Sequence, residues 1–108
     1  MLGISEYALF TLFMDYENAL KGFLDNDKKL KQLPSKAAKK LLALRYVSEQ
    51  FTHDREYSEK EINEIIKNAI SFGDHSLIRR ELVDAKILSR SNDGRIYKKI
   101  FADSGSEQ

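Results

Sequence analysis

Three groups of cations in this sequence have the spacing to meet a polyanion. Arg79 and Arg80 stand together inside Asp74-His75-Ser76-Leu77-Ile78-Arg79-Arg80-Glu81-Leu82-Val83-Asp84. If this run is a helix with Ile78 at the centre of its buried face, Leu82 and Ala85 fall within about 40° of that centre. Ser76, Arg79, Arg80 and Val83 then lie on the open face. Guanidinium groups so placed suit guanine O6 and N7 or a phosphate in a major groove; Ser76 suits a phosphate and Val83 a thymine methyl. Arg95, Lys98 and Lys99 form the second group, beside the turn signal Asn92-Asp93-Gly94, from which Arg95 projects furthest. Lys36, Lys39 and Lys40 form the third. The linker before Lys36, the helix that Lys36 opens and the hairpin can together neutralise about five or six phosphates, which gives weak, salt-sensitive binding to a monomer.

Each group also has a plainer reading. Arg79 and Arg80 can pair with Glu81, Asp84 or a neighbouring helix. Charges on a hairpin guard an exposed edge against strand pairing, and most charge runs only face water. The arginine-bearing helix is neutral as a unit, because Arg79, Arg80 and Lys86 are matched by Asp74, Glu81 and Asp84. Asp74 at its start opposes the anion that a helix N-terminus would otherwise attract.

Other chemistries lack their residues. The chain has 108 residues and no Cys, which removes disulfides, thiol catalysis and Cys-based zinc sites. His53 and His75 are 22 residues apart and fit no local ligand pattern. There is no Gly-rich phosphate loop, nucleophile elbow or paired-His zinc helix. The chain is therefore expected not to be an enzyme and to need no metal or cofactor. Its formal net charge of +1, with 32% charged residues, excludes both a strongly basic coat and an acidic tail. No apolar run approaches the ~20 residues of a membrane span, and no signal peptide opens the chain. A cytoplasmic protein with no membrane partner is the expectation.

The elements that must position the cations are read from periodicity and punctuation. Apolar residues at Leu9, Leu12, Phe13, Tyr16, Leu20 and Phe23 form one helical stripe, widened by Phe10 and Met14. Ser5 caps this helix, Gly22 weakens it, and Asp25-Asn26-Asp27 ends it. So broad a stripe suits a partner chain, with Leu9, Phe10, Phe13 and Met14 as a dimer surface, or a longer contact with the core. Lys28 to Ser35 reads as a linker, with Pro34 biasing Leu33 away from helix and Ser35 capping the next helix. That helix runs from about Lys36 to Phe51, with Ala37, Leu41, Leu44, Ser48 and Phe51 on its stripe.

Glu56-Tyr57 reads as a very short strand, with Tyr57 an anchor whose hydroxyl is satisfied. Ser58-Glu59-Lys60-Glu61 is a capping box. It opens a helix through Ile62, Ile65, Ile66, Ala69 and Ile70, which Gly73 stops in a left-handed position. Asp74 caps the arginine-bearing helix, which reaches about Lys86. Ile87 to Arg90 and Ile96 to Phe101 form a hairpin about Asn92-Asp93-Gly94, with Leu88 and Ile96 or Tyr97 turned inward. The expected fold is mainly α with a small β-hairpin. It divides into an N-terminal helix over 1–27, a winged helix-turn-helix over 28–102, and a disordered tail over 103–108.

Five runs also carry a family likeness. They are Ala19-Leu20-Lys21-Gly22-Phe23-Leu24, Leu30-Lys31-Gln32-Leu33-Pro34-Ser35-Lys36, Tyr57-Ser58-Glu59-Lys60-Glu61-Ile62-Asn63, Asp74 to Asp84, and Leu88-Ser89-Arg90. In this order they resemble the bacterial family named domain of unknown function 2087, over roughly residues 18–100. The resemblance implies a transcriptional regulator, since members often follow an ArsR-like helix-turn-helix repressor domain. Only some 17 residues precede the shared region here, too few for such a domain. The order of elements and the placement of the basic residues give the expected function: binding of double-stranded DNA, as a homodimer reading two half-sites, in transcriptional regulation. The rival is a protein-interaction module of the same fold that binds no DNA. A third reading is a sensor holding a small effector, of unknown identity, between the first helix and the core.

Overall fold

A computed structural model of the chain describes residues 15–100, so the expected dimer residues Leu9, Phe10, Phe13 and Met14 and the tail over 103–108 lie outside the described residues. Within them lie four helices and three strands. They are α1 (Tyr16–Ala19), α2 (Ala37–Ser48), β1 (Glu56–Ser58), α3 (Glu59–Ala69), α4 (His75–Asp84), β2 (Leu88–Arg90) and β3 (Ile96–Lys99). None of the described helices is long and apolar enough to cross a membrane. The strands form one antiparallel sheet in the order β1-β3-β2.

Helices α3 and α4 bury the stripes their sequences prepare, and α2 adds its own apolar face. Ile62 and Ile66 of α3, Ile78 and Leu82 of α4, and Leu44 and Val47 of α2 meet in a single core with essentially no solvent exposure. Full burial of each such side chain contributes about 1.5–3 kcal/mol. Helix α4 packs against α2, α3 and β2, so it is held on three sides. The sheet closes the core through two tyrosines. Tyr57 of β1 lies directly opposite Tyr97 of β3, and both rings are buried. The Tyr57 hydroxyl accepts from the Thr52 N–H at 2.8 Å, its ring meets Phe51 edge-on, and the Arg55 guanidinium covers it at 4.6 Å.

The expected capping box is present: Ser58 Oγ accepts from the Glu61 N–H at 3.1 Å, and Glu61 Oε1 accepts from the Ser58 N–H at 2.8 Å. Asp74 caps α4 by accepting from the Leu77 N–H at 3.1 Å. At the other end of α2, the Lys99 ammonium donates to the carbonyls of Ser48 and Phe51. It thereby satisfies acceptors that a helix C-terminus leaves open and ties β3 to α2.

Several expectations are corrected. The first helix does not continue to Asp25: it ends at Ala19, and Gly22 turns the chain at φ +91°. The segment read as a linker is part of the core. Asp25 Oδ1 accepts from the N–H groups of Asp27 and Lys29, folding a tight loop that delivers Leu30 to full burial. Leu30 then exchanges backbone hydrogen bonds with Ala69 and Ser71. This pairing also ends α3, because Ile70 turns extended to lie beside Leu30; Gly73 is not left-handed. Lys36, without a side-chain bond, occupies the cap position of α2 expected for Ser35. Helix α2 stops at Ser48 short of Phe51, and its Leu41 is 40% exposed while Ala43 is buried. Helix α4 ends at Asp84, and its Val83 is half-buried against the core. Within the hairpin it is Tyr97 that turns inward, while Ile96 is 40% exposed, and β3 ends at Lys99.

Two outcomes test this packing. Leu44→Ala should lower stability by about 2–5 kcal/mol, whereas Leu41→Ala should change it by less than about 1 kcal/mol. Urea midpoints of the two variants give the comparison directly. The backbone hydrogen bond from Ser58, helped by Arg55, holds the Glu61 carboxyl below its usual value of 4.5. A lowered folded-state pKa stabilises the protein above the unfolded value, and that stability is lost as pH falls through the folded one. Urea midpoints at pH 7 and pH 3 should therefore converge for wild type and Glu61→Gln on acidification.

Candidate functional site

The outward stripe of α4 runs through Ser76, Arg80, Val83 and Asp84, following helical spacing. Beside it opens a cleft of about 270 Å³ between the start of α3, α4 and the hairpin. Glu59, Arg79, Arg80, Val83, Asp84, Arg90 and Tyr97 line it. Three guanidinium groups thus converge on one concavity that holds two carboxylates, leaving a cationic surplus.

The two neighbouring arginines do different work. Arg79 is tied inward: it donates to Asn63 Oδ1 and lies 4.0 Å from Glu59 Oε2, with its side chain 21% exposed. Arg80, one step round the helix, is exposed and makes no ion pair among the described residues. Residues 79 and 80 differ by about 100° in direction, enough to send one side chain to α3 and the other outward.

Arg90 also belongs to this constellation. It stands on β2, one residue before the hairpin connection. Its Nε donates to the Tyr97 hydroxyl at 3.1 Å, and that hydroxyl donates to Glu59 Oε1 at 3.0 Å. Glu59 therefore organises Arg90 through Tyr97 while its other oxygen faces Arg79. The guanidinium lies over the turn at Gly94, where φ is +76° and an added Cβ would come within 2.5 Å of it. Gly94 is needed here for its left-handed backbone, while the end of the flexible Arg90 side chain could move aside for a Cβ. The hairpin turn is further fixed by Asp93, which accepts from Ser91 Oγ and the Arg95 N–H. These bonds hold the Asp93 carboxyl below its ordinary value, that from Ser91 most strongly.

The remaining sequence-derived cations divide the same way. Lys98 and Lys36 are exposed and without an ion pair among the described residues. Arg95 is 83% exposed and only 3.9 Å from Asp93 Oδ2, a contact that solvent weakens. Lys39 instead donates to the Ala19 carbonyl at 2.8 Å, pinning α1 to α2, and Lys40 pairs with Glu81 of α4 at 3.3 Å. Lys99 is the cap on α2 already described. Ser76 is half-buried and Val83 edges the cleft. Among the described residues no group of His, Asp and Glu could hold a metal ion.

The sequence puts Arg90 among the wing's cations, with Arg95, Lys98 and Lys99, but does not place it at one cleft with Arg79 and Arg80. The signal was its position just before a turn whose Gly94 leaves room for a large side chain. Tyr97 was read only as core, yet its hydroxyl reaches the cleft.

Residues 29–99 match the family described as an uncharacterized protein conserved in bacteria, DUF2087. No curated protein and no solved structure matches the chain.

The Tyr97 hydroxyl can be tested separately from its ring. Tyr97→Phe should keep the sheet docked and lower stability by about 1 kcal/mol. Gly94→Ala should cost more, since it forces a side chain onto a left-handed backbone at φ +76°. Thermal and urea unfolding of the two variants give the order; Gly94→Ala as mild as Tyr97→Phe would contradict the geometry.

Proposed function

The chain belongs to the bacterial DUF2087 family, and from that starting point we propose that it is a winged helix-turn-helix protein that binds double-stranded DNA and serves transcriptional regulation. The winged reading is supported by the order α2, β1, α3, α4, β2, β3, with β1 completing the sheet beside β3. Helices α3 and α4 then form the helix-turn-helix, and the β2–β3 hairpin is the wing. The observation that carries the DNA reading is Arg80: an exposed guanidinium, unpaired among the described residues, in the middle of the open stripe of α4, above a cleft with two more.

In this reading Arg80 enters the major groove and reaches guanine O6 and N7 or a phosphate. Ser76 and Val83 lie on either side of it along the stripe. Arg90, Arg95 and Lys98 meet the backbone from the wing, and Lys36 meets it from the start of α2. Arg79 acts as a positioning residue, holding the start of α3 to α4 through Glu59 and Asn63. Lys39, Lys40 and Lys99 are spent on internal contacts, so the usable cations are fewer than a count of basic residues suggests. Few phosphate contacts imply modest affinity for one copy of the chain, and a homodimer on two half-sites would supply the specificity.

The rival reading, a protein-interaction module without DNA binding, draws on the exposed Leu41 and Ile96. Fluorescence anisotropy on a random duplex separates the two. Wild type should bind at low salt and weaken steeply as salt rises. Arg80→Ala should weaken binding about tenfold or more, without loss of stability. Arg79→Ala should lower the unfolding midpoint first. Absence of wild-type binding at low salt would overturn the DNA reading in favour of its rival.

A further inference from the structure

The described residues include three non-glycine positions in the left-handed region: Lys28, Asp54 and Lys86. Two have a local reason. Asp is among the side chains that tolerate this conformation. Lys28 follows the Asp25 loop and pairs with Glu17 at 2.9 Å. Lys86 has neither. It sits just past α4, at φ +65°, where the Lys86 N–H donates to the Val83 carbonyl and the Ile87 N–H reaches back to the Leu82 carbonyl. This is a helix C-terminal turn whose left-handed residue is ordinarily glycine. A lysine there makes the turn less stable than glycine would, and its ammonium makes no ion pair among the described residues.

The side chain lies at a second concavity. A groove of about 480 Å³ runs between the end of α4 and the outer side of β2, lined by Lys86, Ser89, Arg90, Ser91 and Asn92, with Val83 and Ile100 among its apolar walls. Arg90 and Val83 border both this groove and the arginine cleft, so the two concavities adjoin. The groove lining holds two cations, two hydroxyls and an amide, and no carboxylate. The Ser91 hydroxyl is engaged by Asp93 and the Ser89 hydroxyl by the Lys98 carbonyl, so the Lys86 ammonium, the Arg90 guanidinium and the Asn92 amide are the donors left to meet a phosphodiester oxygen pair. Strain retained at an exposed residue that would be easier to build as glycine points to a use for its side chain.

We propose that this groove, which adjoins the arginine cleft, is a phosphate site with Lys86 as its principal cation and Arg90 shared between the two. The proposal rests on the DNA reading and adds a contact to it. A duplex lying along the open stripe of α4 would thread one backbone phosphate into the groove. The left-handed turn keeps Lys86 at the mouth instead of letting α4 continue past Asp84.

The test uses the full chain, a fluorescein-labelled random duplex as the probe, and Lys86→Gly, Lys86→Met and Lys86→Arg. Lys86→Gly should raise the melting temperature by a few degrees while weakening duplex binding about three- to tenfold. It should also reduce the slope of log affinity against log salt by about 0.9. Lys86→Met should lose the same affinity and slope without the thermal gain, and Lys86→Arg should bind as wild type does. If wild type binds duplex and Lys86→Gly binds equally well with an unchanged slope, the phosphate site is overturned and the DNA reading stands. If wild type does not bind duplex at all, both fall.

Discussion

Tyr97 is where fold and site become one structure. Its ring is buried opposite Tyr57, and this docks the hairpin onto the helices. A two-stranded hairpin is marginal by itself, so the third strand and the buried ring pair hold it in place. The hydroxyl of the same residue emerges at the cleft, accepts from Arg90 and donates to Glu59. Moving β3 by one residue would exchange Tyr97 for Ile96 or Lys98 on the core face. The core would then lose its ring, and Arg90 and Glu59 would lose the group between them.

The cleft's electrostatics follow from that arrangement. Glu59 sits at the start of α3, where an acid also complements the helix dipole. It faces Arg79 directly and Arg90 through the phenol, so two of the three guanidinium groups are oriented by one carboxylate. Arg80 is left exposed and without an ion pair among the described residues. A surface that orients some cations internally and leaves others open is preorganised without being neutralised. This makes position more informative than net charge, which is only +1 over the chain.

What the sequence discloses, and what it hides, has a physical pattern. Signals confined to one turn of chain are legible: the Ser58 capping box, the Asp74 cap and the turn at Gly94 stand as their residue types imply. The helical stripes of Ile62 with Ile66 and of Ile78 with Leu82 are legible for the same reason. Features decided by distant partners are not. Leu30 reads as linker because its partners, Ala69 and Ser71, are forty residues away. Ile70 reads as helix because nothing local says that it leaves the helix to lie beside Leu30. Leu41 fits the stripe read for α2 and Ala43 does not, yet Ala43 is buried and Leu41 exposed, because the direction from which the neighbouring elements approach sets the buried face. In the site, Arg79 and Arg80 are equivalent on paper; Glu59 and Asn63, both on α3, separate them.

The central claim is that a duplex lies against the outward stripe of α4 and the hairpin. Titration of isotope-labelled protein with a short DNA duplex, followed by two-dimensional NMR, tests it most directly. The account predicts shifts concentrated at Ser76, Arg80, Arg90 and Lys98, with the Arg80 side-chain Nε–H among the most affected and the exposed face around Leu41 unmoved. Spectra that stay unchanged through the titration, or shifts confined to the Leu41 face, would contradict it.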